Sequence, residues 1–230
     1  MIRNLFFDLD DTLLDFRRSE HDALKETLLA AGIPVTEALL ARYAEINAGY
    51  WKRLERREVT RDKLKILRFR DLFAEIGADS ADPAAICAAY EMRLGQQHHL
   101  IPGASEALRD LRKDYRLFAA SNGTGSVQRS RLAGAGIADL FDGLFISEEL
   151  GVEKPSAAFF DACFARFPEL KRSETAMIGD SLTSDIRGGS NAGLRTVWFN
   201  PHGKEPRADI RPSYTIHALS ELLPLLASIQ

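Results

Sequence analysis

The chain has 230 residues, of which 45% are hydrophobic and 27% are charged, and this balance excludes disordered and fibrous proteins. The net charge of −3 gives no general affinity for nucleic acid polymers, and no run of about 20 apolar residues is available to cross a membrane. The two cysteines are too few for a disulfide framework and the first residues lack a secretory pattern, so a cytoplasmic protein is expected.

The predicted elements begin with a short buried strand, Arg3 to Asp8, whose apolar residues follow one another as they do in central parallel strands. Residues 16–97 then carry helical patterns and hardly any strand signal. Residues that are typical of helix starts precede several of these patterns. The helices are predicted over Ser19 to Ala31 and from near Thr36, Thr60 and Asp82. This segment is predicted to be an all-helical insertion.

From residue 101 onward, strands alternate with helices, which predicts an α/β fold with a doubly wound parallel sheet. The strands are predicted over Leu117 to Ala120, Leu144 to Ser147, Ala176 to Gly179, Thr196 to Phe199 and Tyr214 to Ile216. The chain thus divides into a core, residues 1–15 and 98–230, and the insertion, residues 16–97. Ligands of such sheets bind beyond the carboxyl ends of the strands, where Asp8, Ser121 and Asp180 lie.

An acidic motif directly follows the first strand, in the segment FFDLDDTL at residues 6–13. Asp8 and Asp10 differ by two positions, so their carboxylates point the same way on an extended chain. Such a pair suits a division of roles, in which one attacks phosphorus and the other transfers protons. Thr12 can fix the loop by hydrogen bonding. Taken alone, acidic residues at this place are explained equally well as helix caps.

The segment AASNGTG, residues 119–125, places a hydroxyl, an amide and a glycine between a strand and a helix. Ser121 can donate from its side chain, and Asn122 and Gly123 can donate backbone N–H groups near a helix N-terminus. These donors suit phosphate oxygens. An ordinary N-cap turn explains the same three residues.

Two later segments, VEKP and IGDSLTSD, add a cation and further carboxylates. Lys154 lies at a helix entrance, where its compact charge suits a phosphoryl group or a crowd of carboxylates. Asp180, Asp8 and a backbone carbonyl would give Mg²⁺ the oxygen ligands it prefers, and Asp185 could orient Lys154 or a metal-bound water. Taken singly, a solvated lysine and helix caps explain these residues.

Capping does not explain four such segments in this order, each at the end of a predicted strand. The chain resembles the haloacid dehalogenase-like (HAD) superfamily, and the resemblance spans the chain because the insertion is similar to that family's helical cap. It implies a Rossmann-like core with an all-helical cap. The matching positions are Asp8, Asp10, Thr12, Ser121, Lys154, Pro155, Gly179, Asp180, Ser181 and Asp185.

The resemblance implies a Mg²⁺-dependent phosphomonoesterase that acts through an aspartyl-phosphate. Asp8 would be the nucleophile and Asp10 the acid and base, and dehalogenating relatives lack the second carboxylate. Mg²⁺ would be held by Asp8, Asp180 and the backbone carbonyl of Asp10, with Ser181 and Asp185 behind them. The residues implied to bind the substrate are Thr12, Ser121, Asn122, Gly123 and Lys154.

A narrower resemblance is to the bacterial pyrimidine 5′-nucleotidase branch, carried by YWKRLERREVTRDKLKILRFRDLF, by VEKP and by VWFNP. It implies that the substrates are pyrimidine nucleoside monophosphates. Tyr50, Trp51 or Phe69 could stack on a base and Arg68 could touch its polar edge, although aromatics at helical spacing more often form core. The basic residues of this run form either a solvated helix surface or a positive field for anionic substrates.

Two alternatives stay open. On the same scaffold, the chain would act on phosphosugars or phosphoglycolate, or move phosphate within a sugar as a mutase does. In another class, it would be a phosphate-accepting signalling or binding module without turnover, and Asp10 argues against this because such a module needs no acid to expel a leaving group. The expected partner is a small phosphomonoester, with no nucleic acid polymer and no membrane, and the expected assembly is a monomer or a homodimer.

Overall fold

The computed structural model describes residues 1–78 and 80–229, which form two compact units. The first is an α/β unit built from Met1–Asp15 and the chain from His99 onward, and the second is a helical unit comprising Phe16–His98. Within the described ranges, no helix is long and apolar enough to cross a membrane.

The regular elements alternate as expected for the α/β unit and are all helical in the second unit. The strands are β1 (Asn4–Phe7), β2 (Arg116–Ser121), β3 (Gly143–Ile146), β4 (Thr175–Gly179), β5 (Arg195–Phe199) and β6 (Tyr214–Ile216). The helices are α1 (Phe16–Ala30), α2 (Glu37–Glu55), α3 (Arg61–Ile76), α4 (Pro83–Gly95), α5 (Ala104–Leu111), α6 (Gly125–Gly134), α7 (Ser147–Leu150), α8 (Ala157–Arg166), α9 (Arg187–Asn191) and α10 (Leu222–Ser228). Short helical turns cover Ala138–Leu140, Arg172–Glu174, Leu182–Ile186 and Leu219–Glu221.

The strands of the α/β unit form one parallel sheet in the order β3-β2-β1-β4-β5-β6, which confirms the predicted doubly wound architecture. The strand order reverses direction at β1, which lies between β2 and β4. Phe7 at the end of β1 is level with Ala119 on β2 and Ile178 on β4. The residues that follow these three strands therefore emerge at the same edge of the sheet, at the switch point where ligands of such folds bind.

Strand β1 is buried on both faces, as its uninterrupted apolar run predicts. Leu5 and Phe7 pack into the cluster on one side of the sheet, and Phe6 packs on the other side. The ring of Phe6 lies 5.4 Å from that of Phe118 and 5.3 Å from that of Phe145. Each fully buried side chain of this size contributes about 1.5–3 kcal/mol, so the chain that carries Asp8 is firmly anchored.

Two predicted helix boundaries differ from the observed ones. Helix α1 begins at Phe16, three residues before the predicted Ser19, because the arginines that follow Phe16 form helix readily but add nothing to an apolar pattern. The sequence pattern from about Thr183 to near Gly193 predicts one further helix, but in the structure a π-helical turn, Leu182–Ile186, precedes the short helix α9. Such turns are frequent at functional sites.

The helical unit has a core of aromatic side chains. The ring of Phe69 lies 5.0 Å from Tyr43 and 5.5 Å from Tyr90, and all three are fully buried. Arg68 is buried beside them, and its Nη1 donates to Oδ1 of Asn47 at 3.0 Å. Phe69 is therefore part of the core, which is the alternative that its helical spacing favours. Tyr50 is also buried, and its hydroxyl donates to Asp71 at 2.5 Å.

Candidate active site

The carboxyl edge of the sheet gathers polar side chains from four separate segments. The backbone N–H of Asp8 donates to the carbonyl of Ile178 at 2.9 Å, so Asp8 continues the pairing of β1 with β4. Asp180 follows β4, and its carbonyl accepts from the indole N–H of Trp198 on β5 at 2.9 Å. Both acidic residues are thus held by the sheet itself, which fixes their backbone positions.

The Asp8 carboxylate is bound on both oxygens. Its Oδ1 accepts from Nζ of Lys154 at 2.7 Å, and its Oδ2 accepts a long hydrogen bond of 3.4 Å from the Thr12 hydroxyl. The same hydroxyl oxygen accepts from the backbone N–H of Asp180 at 3.1 Å. Thr12 is fully buried, and its hydroxyl links the loop after β1 to the loop after β4.

Lys154 is fully buried, and its ammonium meets three acceptors, which is all that its three N–H donors can serve. Besides Asp8, these are Asp185 Oδ1 at 2.7 Å and the carbonyl of Ala120 at 2.5 Å. Burial alone would lower the pKa of Lys154, but the carboxylates of Asp185 and Asp8 raise it above its ordinary value. The side chain of Asn122 fixes the lysine backbone, donating to its carbonyl and accepting from its N–H, each at 2.9 Å.

Asp185 lies behind this pair and is itself buried. Its Oδ2 accepts from the backbone N–H of Ser181 at 3.1 Å, and the Ser181 hydroxyl caps the π-helical turn by accepting from the N–H of Ser184 at 3.2 Å. The carboxylate of Asp185 occupies the space that a Cβ would need at Gly179. Glycine at position 179 therefore allows Asp185 to reach Lys154.

Three carboxylates, those of Asp8, Asp180 and Asp185, offer oxygen atoms that all lie within 4.8 Å of one another. Burial, and then repulsion from Asp185, raises the pKa of Asp8 to about 8 although Lys154 opposes the shift. Burial raises the pKa of Asp180 to about 7, with Lys204 opposing it. Burial and mutual repulsion thus disfavour the ionised forms of these carboxylates, and a cation bound between them would favour those forms. The all-oxygen donor set fits a hard divalent cation such as Mg²⁺.

Asp10 faces helix α6 rather than Lys154. Its Oδ2 accepts from Nε2 of Gln128 at 2.6 Å, and its Oδ1 forms an ion pair with Nη1 of Arg131. The same Gln128 nitrogen also donates to the hydroxyl oxygen of Ser121 at 2.8 Å. The Ser121 oxygen further accepts from the backbone N–H of Gly123 at 3.0 Å, so Gly123 supports the serine in this structure.

A second lysine reaches the cluster from the loop after β5. Nζ of Lys204 lies 3.0 Å from Oδ2 of Asp180 and keeps 42% of its side-chain surface exposed. Asn200 holds the loop, because its Oδ1 accepts from the N–H of Lys204 at 2.8 Å and its Nδ2 donates to the Lys204 carbonyl at 3.0 Å.

The structure joins the predicted site residues of the α/β unit into hydrogen-bonded groups at one edge of the sheet, and their chemical roles stay predictions. Tyr50, Trp51, Arg68 and Phe69, the residues considered for contact with a base, lie in the helical unit. Sequence reasoning missed Gln128, Arg131 and Lys204. The first two stand three positions apart on the helix after Ser121, a spacing that places them on one helix face. That spacing was the available signal, whereas nothing in the sequence around Lys204 distinguishes it from a solvated loop lysine.

Comparison with known proteins identifies the family. A family model described as haloacid dehalogenase-like hydrolase matches residues 2–193. Pyrimidine 5′-nucleotidase PynA from Streptococcus pneumoniae is 38% identical over 223 residues, 96% of this chain and 94% of the relative. Pyrimidine 5′-nucleotidase YjjG from Escherichia coli is 32% identical over 222 residues, 96% of each chain. The crystal structure of the HAD-hydrolase YfnB from Bacillus subtilis, bound to magnesium, has a TM-score of 0.94 at 39% identity and covers 98% of each chain.

The parallel sheet with a carboxylate cluster at its switch point defines a hydrolase of the HAD fold. The chain belongs to the haloacid dehalogenase-like hydrolase family. The resemblance stated from its four sequence motifs is confirmed, as is its assignment to the enzymes.

Proposed function

We propose that the chain is a Mg²⁺-dependent phosphomonoesterase that acts through an aspartyl-phosphate formed on Asp8. The observation that carries the proposal is the Asp8 carboxylate, fixed at the end of the central strand and bound to buried Lys154, with a second carboxylate two residues later. An anchored carboxylate beside a fixed ammonium can approach an anionic phosphate that would otherwise repel it.

The chemistry assigned to these residues has two steps. An oxygen of Asp8 attacks phosphorus, the bond to the alcohol oxygen breaks, and Asp10 gives that oxygen its proton. Water then attacks the phosphorus of the aspartyl-phosphate and gives its proton to Asp10, so inorganic phosphate leaves and Asp8 is restored. Lys154 and the donors around Ser121 stabilise the charge on the phosphoryl oxygens during both steps.

We assign Mg²⁺ to Asp8, Asp180 and the backbone carbonyl of Asp10, with Asp185 beside them. When bound, the ion supplies positive charge that offsets the charge of the phosphoryl group and of the carboxylates. The oxygen-only donor set and the raised pKa values of Asp8 and Asp180 support this assignment.

For the substrate, we propose pyrimidine nucleoside monophosphates. The support is the similarity to two pyrimidine 5′-nucleotidases, each of which matches nearly the whole chain. We further propose that the α/β unit carries the chemistry and that the helical unit selects the leaving group.

The test is phosphate release in the presence of Mg²⁺ from UMP, dUMP, dTMP, a phosphosugar set and phosphoglycolate. Rapid hydrolysis of the pyrimidine nucleotides is expected. D8N, checked for folding by its thermal midpoint, should retain less than roughly one thousandth of wild-type kcat. Preference for a phosphosugar or for phosphoglycolate would keep the mechanism and overturn the substrate class.

The non-catalytic alternative gives a different signal in the same assay. A signalling module would keep its phosphate on Asp8 and release almost none of it. Stable, Asp8-dependent labelling of the wild-type chain without turnover would therefore contradict the proposed function.

A further inference from the structure

Both carboxylate oxygens of Asp10 are bound by side chains from one face of helix α6. Nε2 of Gln128 donates to Oδ2 at 2.6 Å, and Nη1 of Arg131 pairs with Oδ1. Hydrogen bonds in which donor or acceptor is charged are the stronger class, so two of them on one carboxylate hold it in one orientation. The Asp10 side chain itself is only partly buried, so burial alone does not fix its orientation.

The two donors are themselves fixed. Gln128 and Arg131 are each 1% exposed. Arg131 Nη1 also donates to Oε1 of Gln128 at 3.1 Å, which turns the amide so that its nitrogen faces Asp10 and the hydroxyl of Ser121. A Cβ on Gly123 would lie 2.6 Å from the Gln128 nitrogen, so a larger residue at position 123 would displace this amide from its present place. The side chains of Asp10, Ser121, Gln128 and Arg131 therefore form one preorganised hydrogen-bonded group.

We propose that Arg131 and Gln128 are positioning residues that hold the Asp10 carboxylate for proton transfer. This inference rests on the proposed function, in which Asp10 is the acid and base. Proton transfer requires a heavy-atom separation of about 2.6–3.2 Å, and a displacement of roughly 1 Å can slow a reaction about 100-fold. A planar guanidinium fixes a carboxylate in direction, which an ammonium on a flexible chain does less well.

The side-chain nitrogen of Gln128 also links Asp10 to Ser121. Because it contacts both Ser121 and Asp10, it joins the hydroxyl assigned to the phosphoryl group to the carboxylate assigned to proton transfer. The orientation of Asp10 is thereby tied to the place where the phosphoryl group is expected to bind.

The test begins with R131M, R131K and a control, R129M, all on α6. Arg129 is about half exposed and pairs with Glu149, away from Asp10. R131M is expected to lower kcat for UMP by about 100-fold while KM stays nearly constant, because Asp10 acts in the chemical step. R131K should recover part of kcat, and R129M should behave as wild type. Thermal midpoints measured alongside separate loss of folding from loss of positioning.

The decisive measurement is a double-mutant cycle with D10N, using p-nitrophenyl phosphate so that slow variants remain measurable. If Arg131 acts through Asp10, R131M lowers kcat in the wild-type background and has no further effect in D10N. An equal loss in both backgrounds, or an unchanged kcat in R131M, overturns the inference. If R131M does not fold, Q128A and R131K complete the cycle. Absence of any phosphate release by the wild-type chain would instead contradict the proposed function.

Discussion

Lys154 and Arg68 are both buried cations, yet one lies at the carboxyl edge of the sheet and the other inside the helical unit. Nζ of Lys154 contacts the carboxylates of Asp8 and Asp185, each at 2.7 Å. The guanidinium of Arg68 lies 5.1 Å from the centre of the Tyr90 ring and 5.2 Å from that of Phe69. The first cation is surrounded by opposite charge and the second by aromatic faces.

The difference teaches what each buried charge can do. A cation among several carboxylates changes their pKa values, and groups with such altered pKa values are frequent at catalytic sites. A cation over aromatic rings gains modest cation–π energy and closes a packed core without changing any reacting group. The same property, burial of a basic side chain, therefore accompanies the proposed active site in the α/β unit and an aromatic core in the helical unit.

The largest expected effect is that of K154M, which removes the cation from between two buried carboxylates. Leaving such charges unpaired should lower the free energy of unfolding by about 3–5 kcal/mol. Loss of the fixed positive charge beside Asp8 should also reduce kcat by about 10²–10³-fold. Urea unfolding and UMP hydrolysis measure the two effects.

The matched control is K171M, because Lys171 is exposed and pairs with Glu174, three positions along the chain. It should leave both stability and kcat unchanged. A K154M enzyme with full kcat would show that the positive charge of Lys154 is not used in the reaction. Lys154 would then have a structural role only, as Arg68 has in this comparison.

A smaller effect, confined to stability, is expected for R68M. Methionine fills much of the space, but the buried Oδ1 of Asn47 loses its donor, so unfolding should become easier by about 1–3 kcal/mol. The kcat for p-nitrophenyl phosphate should not change, because the hydrogen-bond acceptors and aromatic rings that Arg68 meets belong to the helical unit.

R70M serves as the control, since Arg70 lies on the same helix, is exposed and pairs with Asp71. Its unfolding midpoint should match that of wild type. If R68M instead loses kcat while it keeps its stability, Arg68 takes part in the reaction, and the contrast between the two buried cations fails.

Most of the fold could be predicted from the sequence because its signals are local. Buried parallel strands appear as short apolar runs, and the polar residues that end them mark the strand ends to within about one residue. Thr36 and Asp82 cap their helices as their types predict: Thr36 accepts from the N–H of Leu39 and Asp82 from that of Ala84. Since the ends of neighbouring parallel strands lie at the same edge of the sheet, the predicted strand ends were enough to predict that Asp8, Ser121 and Asp180 lie at one edge.

The contacts of Asp10 could not be predicted in the same way. Whether Gln128 and Arg131 face Asp10 depends on the rotation of α6 about its axis and on the register between β1 and β2, which no local pattern encodes. The π-helical turn after Asp180 depends likewise on tertiary contacts. The sequence therefore predicted the carboxylates of the site better than the side chains that orient them.

The smallest expected effect belongs to K204M and concerns affinity for Mg²⁺. Lys204 contacts an oxygen of Asp180, one of the carboxylates assigned to the metal. A Mg²⁺ ion that binds there must therefore displace the ammonium group of Lys204 or share the carboxylate with it. An exposed ion pair contributes about 0.2–1 kcal/mol, so its removal should tighten Mg²⁺ binding by up to about fivefold. Calorimetric titration of the substrate-free enzyme measures this directly.

The control for this comparison is K113M, whose exposed lysine pairs with Asp110 on the surface. It should bind Mg²⁺ as wild type does. Weaker binding by K204M would mean that Lys204 acts through the loop held by Asn200, keeping Asp180 in place rather than competing for it. Lys204 would then resemble Lys154, a cation that organises carboxylates, and the contrast with Arg68 would extend to a lysine that is partly exposed.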